Sequence, residues 1–320
     1  MEWNIETHII FEAIVGSHAY GTNDELSDED YRGVCIPPLN ILLGFDRFEQ
    51  KDGWDGKYDD RIIYSLDKFF KMSLKNNPSI IELFFLPESV ILRKSYIWDQ
   101  IVSKRDLFLS KNVTHTFSGY AHAQLHRIKR HRGYLLHPIK EEPKREKFGL
   151  SVNPTLSHDS LAAILSLSEH LLAANIKEEA SKESFFRQAK KMWDDYAAWE
   201  KGRNKQRAEL EFQFGYDVKH ASHLVRLMEE GEELLEYGKI TLPRPNADFL
   251  LDIKKGKFSY DQILELIGGF DEKFSVLSKK SVLPYSPSFK EVNELYLDIL
   301  ADYFMIEDIM GRNRRSYGKT

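Results

Sequence analysis

The segment "HIIFEAIVGS" is a short, mainly apolar segment that stops at Gly16-Ser17, and ten residues later the chain reads "DED" before a second apolar run, "YRGVCIPP". The first run suits a buried strand feeding a turn. The second suits a short strand halted by two prolines. Between them lies "HAYGTNDELS", and the acids Asp28 and Asp30 stand at the entrance of the second strand. Residues two apart on a strand point to the same side, so this spacing aims both carboxylates into one spot. Like charges so placed repel unless a cation lies between them, and magnesium favours such oxygen ligands together with phosphates. A solvated acidic turn would explain "DELSDED" alone, but it gives no reason for the ordered strand–glycine–acid–strand context.

Two familiar motifs fail here. Gly16 and Gly21 have the glycine spacing of a phosphate-binding loop, yet Thr22-Asn23 occupy the places of the Lys-Ser/Thr pair that holds phosphate. A calcium loop beginning at Asp28 would put Arg32 at its fifth position and Leu39 where the closing bidentate acid belongs.

Further along, "DRFEQKDGWDGKYDDRIIYSL" reads as a hairpin through Gly53 and Gly56 with "RIIYSL" as its return strand. In "DKFFKMSLKNNPSIIELFFL" the helical pattern breaks at Asn77-Pro78, and Pro78 can open a new helix because its first turn needs no N–H. From about residue 100 the texture is helical: "FSGYAHAQLHRIKRH", "SLAAILSLSEHLLAANI", "ESFFRQAKKMWDDYAAWEKGRNKQRAELEFQ", "VKHASHLVRLMEEGEELLEYG" and "SYDQILELIGGFDEKFSVLSKK". The expected architecture is α+β, with a mixed-sheet domain over residues 1–105 and a mostly helical domain over 106–320. Residues of roughly 130–210 have the look of a variable or inserted segment.

The "GS…DxD" element resembles the signature of the DNA polymerase β-like nucleotidyltransferase superfamily. Three further stretches, "YSLDKFFKMSLKNNPSIIELFF", "GYAHAQLHRI" and "YDVKHASHLVRLMEEGEELLEYGKI…DFLLDIKKGKFSYDQIL", make the chain similar to a family of predicted nucleotidyltransferases associated with RNA ligase. The resemblance implies that Gly16 and Ser17 meet nucleotide phosphates and that Asp28 and Asp30 hold two magnesium (or manganese) ions. It also implies a third carboxylate on a neighbouring strand. Asp60, which directly precedes "RIIYSL", is preferred over Asp59 and Asp67. An NTP would be the substrate, and candidate acceptors or partners are an RNA end, an RNA ligase or a protein hydroxyl.

Lys219, His223 and Arg226 fall at i, i+4 and i+7, on one helix face, with His220 beside them. A set of surface charges is the plainer reading of such a row. The resemblance of the segment favours a nucleotide or phosphate ligand. Arg32 is expected to serve as a structural counter-ion, and Glu82 to brace the site from below.

Composition limits the partners. With a net charge of −5 on 320 residues, any nucleic-acid contact must be local rather than global. The best candidate is residues 126–147, within a basic variable segment near 126–150, where eight Lys/Arg face three Glu. The single cysteine, Cys35, excludes an internal disulfide framework and is expected to be a small core residue. No basic leader and no membrane-length apolar run are visible, so a soluble, cytoplasmic protein is expected.

Overall fold

The computed structural model describes residues 3–25, 27–54, 58–153, 156–167, 174–203 and 205–305. The side chain of Asp59 lies outside the described residues. The described chain divides into two compact units, one built from residues 1–126 together with 218–320, the other from 127–217. This differs from a division at residue 105. The C-terminal helices return to the sheet unit, and the segment read as variable or inserted forms a unit of its own. Burial of the long-range apolar partners, which a linear reading does not see, sets that boundary.

The first unit holds a five-stranded mixed sheet: β1 (Ile9–Val15), β2 (Asp30–Cys35), β3 (Gln50–Trp54), β4 (Tyr58–Ser65) and β5 (Ile91–Lys94), in the order β3-β4-β2-β1-β5. β2 and β4 run parallel; every other pairing is antiparallel. The apolar run "IIFEAIV" is a strand as expected, and β3 and β4 pair as the expected hairpin does, but Gly53 lies within β3 rather than between the strands, and Gly56 lies outside the described residues. Helices Leu66–Leu74 and Pro78–Ile81 follow, the second opened by Pro78 behind Asn77.

Alternation along β1 sends Phe11 and Ala13, both fully buried, to the helical face. There Phe11 stacks on Trp98 with ring centroids 3.8 Å apart, and Phe69, Phe84 and Phe108 continue the aromatic core. The C-terminal helix Phe289–Phe304 closes this layer, Tyr296 meeting Phe70 edge to face. Cys35 is buried against Ile5 and Ile63 on the other face, and burial pushes its thiol up to about 12, which makes it an inert core residue.

That other face also carries an ion network. Glu12 is buried between Arg61 and Arg93, and Glu6 from the N-terminal turn accepts from both arginines. Gly33 makes room for it: a Cβ there would meet Ile63 Cδ1 at 2.6 Å and the Phe11 carbonyl at 2.8 Å. Hydrogen bonds from Arg61, then Arg93, pull the Glu6 carboxyl from its ordinary 4.5 down to about 2. A carboxylate with a depressed folded pKa contributes stability that is complete above 4.5 and is lost as pH falls toward 2. Thermal melts between neutral pH and pH 2 should therefore show Glu6→Gln losing roughly 1 kcal/mol at neutral pH, with a flatter acid limb than the parent. Parallel acid limbs would reject the linkage.

The long helical readings hold with interruptions. Helix Val113–Leu136 spans the "GYAHAQLHRI" stretch, while the expected helix over 183–213 is broken after Gly202 into Ala174–Gly202 and Lys205–Phe214. Of the helix expected over 160–176, helix His158–Ser166 forms the start, and residues 168–173 lie outside the described residues. "SYDQILELIGGFDEKF" is likewise two helices, Tyr260–Gly268 and Phe270–Lys280, divided at Gly269. Among the described residues no helix is long and apolar enough to cross a membrane.

Candidate active site

β1 ends at Val15, opposite Asp30, the first residue of β2. The chain must then turn sharply, and Gly16 does so at φ +69°, a conformation that L side chains rarely adopt. The turn also runs tight against the acid: a Cβ at Gly16 would lie 2.9 Å from Asp30 Oδ2. Ser17–Tyr20 follows as a single helical turn ended by left-handed Gly21. The turn at Gly16 and the Asp30 carboxylate are therefore brought together.

Asp30 has a second neighbour. The parallel register of β2 on β4 sets Asp30, the first residue of β2, directly beside Asp60, the third of β4, so both carboxylates project from the same face of the sheet. Burial first, and then the charge and hydrogen bonding of Asp60, raise the pKa of Asp30. Arg32 and Lys219 pull in the opposite direction. Asp60 is half exposed and takes a forked pair of bonds from Arg32, Nη1 to Oδ1 at 3.0 Å and Nη2 to Oδ2 at 3.2 Å. Arg32 is thus the structural counter-ion expected from the sequence.

Asp28 is placed otherwise than the strand argument requires. The strand begins at Asp30, so Asp28 lies in the loop ahead of it, exposed, and among the described residues no hydrogen bond or ion pair holds it. The two-residue alternation of a strand does not orient this side chain. Asp30 and Asp60 form the acidic pair that the fold itself assembles.

The cationic row on helix Val218–Tyr237 divides in two. Lys219 is exposed, and its charge is felt at Asp30. Arg226 is only 3% exposed, and its guanidinium is spent inside the protein, which corrects the reading of Arg226 as a phosphate ligand. Its Nη1 donates at 2.7 Å to Glu82 Oε1 and to both oxygens of Glu230. Its Nη2 donates at 2.8 Å to His223 Nδ1, which puts the proton of a neutral His223 ring on Nε2. The guanidinium lies 3.7 Å from the centroid of the Tyr20 ring, and the Tyr20 hydroxyl donates to Glu82 Oε2 at 2.6 Å. Burial drives the Glu230 carboxyl up to about 8, aided by Glu82 and opposed by Arg226. His220 is half-buried on the same helix.

This buried cluster clamps the turn that begins at Gly16. Glu82 braces it, as expected; Tyr20, Glu230 and Arg244 are additions the sequence reading did not make. The Arg244 backbone N–H donates to the Tyr20 carbonyl at 3.0 Å, and its side chain is fixed by Glu233 and Glu229. Lys254 reaches Asp24 at 3.5 Å. The i,i+4 spacing of Arg226 and Glu230 was the available signal for one of these; the Tyr20 and Arg244 contacts are long-range and leave no local trace.

In the second unit the basic segment is partly self-neutralised. Arg145 forms a forked pair with Glu183 at 3.1 and 2.7 Å, Lys147 reaches Glu141 at 2.5 Å, and Arg132 donates to the Gly215 carbonyl at 2.8 Å.

Residues 1–143 match the model of the RNA repair pathway DNA polymerase beta family. A stretch of 125 residues is 25% identical to an uncharacterized 38.9 kDa protein from the nrdC-mobD intergenic region of Enterobacteria phage T4. It covers 36% of this chain and 37% of that relative. No solved structure matches the chain.

Proposed function

We propose, from the match of residues 1–143 to the model of the RNA repair pathway DNA polymerase beta family, a metal-dependent nucleotidyltransferase that moves an NMP from an NTP to a hydroxyl acceptor, an RNA 3′ end in the leading reading. The observation that carries this is the in-register meeting of Asp30 and Asp60 on parallel strands, with Gly16 abutting Asp30.

These residues fit divalent ions. Two like charges are held side by side, and the turn beside them has no room for a side chain. Asp30 and Asp60, with Asp28 from the loop, would hold two Mg2+, for which Mn2+ could substitute. When bound, such ions offset phosphate charge and lower the pKa of a coordinated hydroxyl.

The chain's own groups supply the rest. Gly16 lets the backbone approach the triphosphate, and the Ser17 hydroxyl and nearby N–H groups bind its oxygens. Lys219 adds positive charge beside Asp30, with His220 and His223 as further contacts from the same helix. Arg32 keeps Asp60 oriented. The acceptor hydroxyl gives its proton to water, its oxygen bonds to the α-phosphorus, the α–β anhydride bond breaks, and pyrophosphate leaves.

The test is transfer of label from each α-labelled NTP, with Mg2+, to RNA bearing a free or a blocked 3′-hydroxyl. Label on the free-ended RNA alone is the expected result. Label on protein would transfer the proposal to protein nucleotidylation, and label on neither would leave a non-catalytic RNA or partner-binding module.

A further inference from the structure

A second group of metal-binding donors lies in the unit of residues 127–217. His131 stands near the end of helix Val113–Leu136, Glu211 lies on helix Lys205–Phe214, and Asp217 follows the left-handed turn at Gly215. Glu211 and Asp217 are 2% and 1% exposed. His131 Nδ1 lies 3.9 Å from Glu211 Oε1 and 3.8 Å from Asp217 Oδ2, and one ligand atom from each of the three lies within 4.8 Å of the others.

We propose that His131, Glu211 and Asp217 form a zinc site, with one imidazole nitrogen, two carboxylate oxygens and water in the fourth place. Zinc bonds to nitrogen and oxygen at about 2.0–2.2 Å set tetrahedral ligand–ligand edges near 3.4 Å. The two nitrogen–oxygen edges here are too long for hydrogen bonds, and a contraction of about half an ångström brings both to that figure. Three protein ligands and one water is a recurrent zinc arrangement, and an imidazole in the set favours zinc over magnesium or calcium.

The surroundings suit a cation. Glu211 and Asp217 are almost fully buried, so a cation held between them and His131 would be shielded from water. Arg203 supplies one charge but engages Glu211 through Oε2, at 2.9 Å, while Oε1 is the oxygen turned to His131. Arg203 is itself held over the Trp199 ring at 4.2 Å, so it orients Glu211 from behind as an outer-shell partner does. His131 lies 80 residues before Glu211, of which Asp217 is a near neighbour in the chain, so an ion would tie both ends of this unit together.

The experiment must separate this site from the nucleotide site. Full-length Asp30→Asn/Asp60→Asn protein, stripped with chelator, is titrated with Zn2+ and its bound metal counted after gel filtration. One zinc per chain and a raised melting temperature are expected. Adding His131→Ala or Asp217→Asn should weaken zinc affinity at least about a hundredfold, beyond the span of outer-shell changes. Cobalt absorption bands, present in the parent and lost in Asp217→Asn, give a readout that does not depend on the His131 variant folding. No zinc retained, or zinc retained equally by both ligand variants, would overturn the proposal and leave a proton shared between Glu211 and Asp217. Because the acids of the nucleotide site are absent throughout, neither outcome bears on the proposed transfer reaction.

Discussion

Asp30→Asn should remove nucleotidyl transfer while leaving the melting temperature unchanged or raised. The substitution keeps the shape and deletes one charge from the pair that the β2–β4 register forces together. Charge stabilisation by a metal at such a site is worth several kcal/mol, so about a thousandfold or more should be lost from the rate. Stability moves the other way because Asp30 is already disfavoured as an anion by burial and by Asp60. Asp60→Asn should abolish transfer as well but cost the fold about 1 kcal/mol, since it leaves the Arg32 guanidinium, 19% exposed, without its forked carboxylate. Labelled-NTP assays run alongside thermal melts separate the two variants. Transfer retained by a well-folded Asp30→Asn protein would remove the acidic pair from the mechanism.

Arg226→Ala should destabilise the first unit by about 3–5 kcal/mol, the usual result of removing one partner from a buried ion pair. Glu82 and Glu230 would face each other without their shared cation, and the Tyr20 ring would lose the plane stacked on it. The turn from Gly16 to Gly21 would then be held less firmly, so transfer should fall too. Arg226→Lys should rescue little, because one ammonium cannot serve two carboxylates, a histidine nitrogen and a ring face together.

Glu230→Gln is the matched control. Burial pushes Glu230 up to about 8, so its negative charge is disfavoured in the fold, and the amide should be tolerated with a loss under about 1 kcal/mol. The sign of its pH effect follows. A carboxyl whose folded pKa is raised contributes stability fully present below its ordinary 4.5 and lost as pH rises through about 8. Parent protein should therefore lose stability toward alkaline pH more steeply than Glu230→Gln. Urea melts at pH 6 and pH 9 measure the difference; equal slopes would place the charge on Glu230 at neutral pH.

Much of this was written in short stretches of sequence. The run "IIFEAIV" closed by Gly16, the hairpin around Gly53 and the helix opened at Pro78 each follow from local periodicity and from what Gly and Pro allow the backbone. The acids were legible for the same reason: a glycine turn and a carboxylate at the mouth of the next strand are near neighbours in the chain, and strand pairing brings Val15 opposite Asp30. What the chain could not declare locally was which other groups arrive there. Asp60 meets Asp30 only through the parallel register of β2 on β4, and Asp28 drops out of the strand because pairing begins two residues later.

Arg226 shows the difference most plainly. Its spacing from Lys219 gives one helix face but not which part of that face is buried, and a guanidinium looks the same in sequence whether it meets solvent phosphate or two interior carboxylates. Spacing along the chain determined the strands, the turn and the acids beside it. Tertiary packing alone decided the fate of each charge, because burial and long-range partners fix whether a charged side chain serves a ligand or holds the fold together.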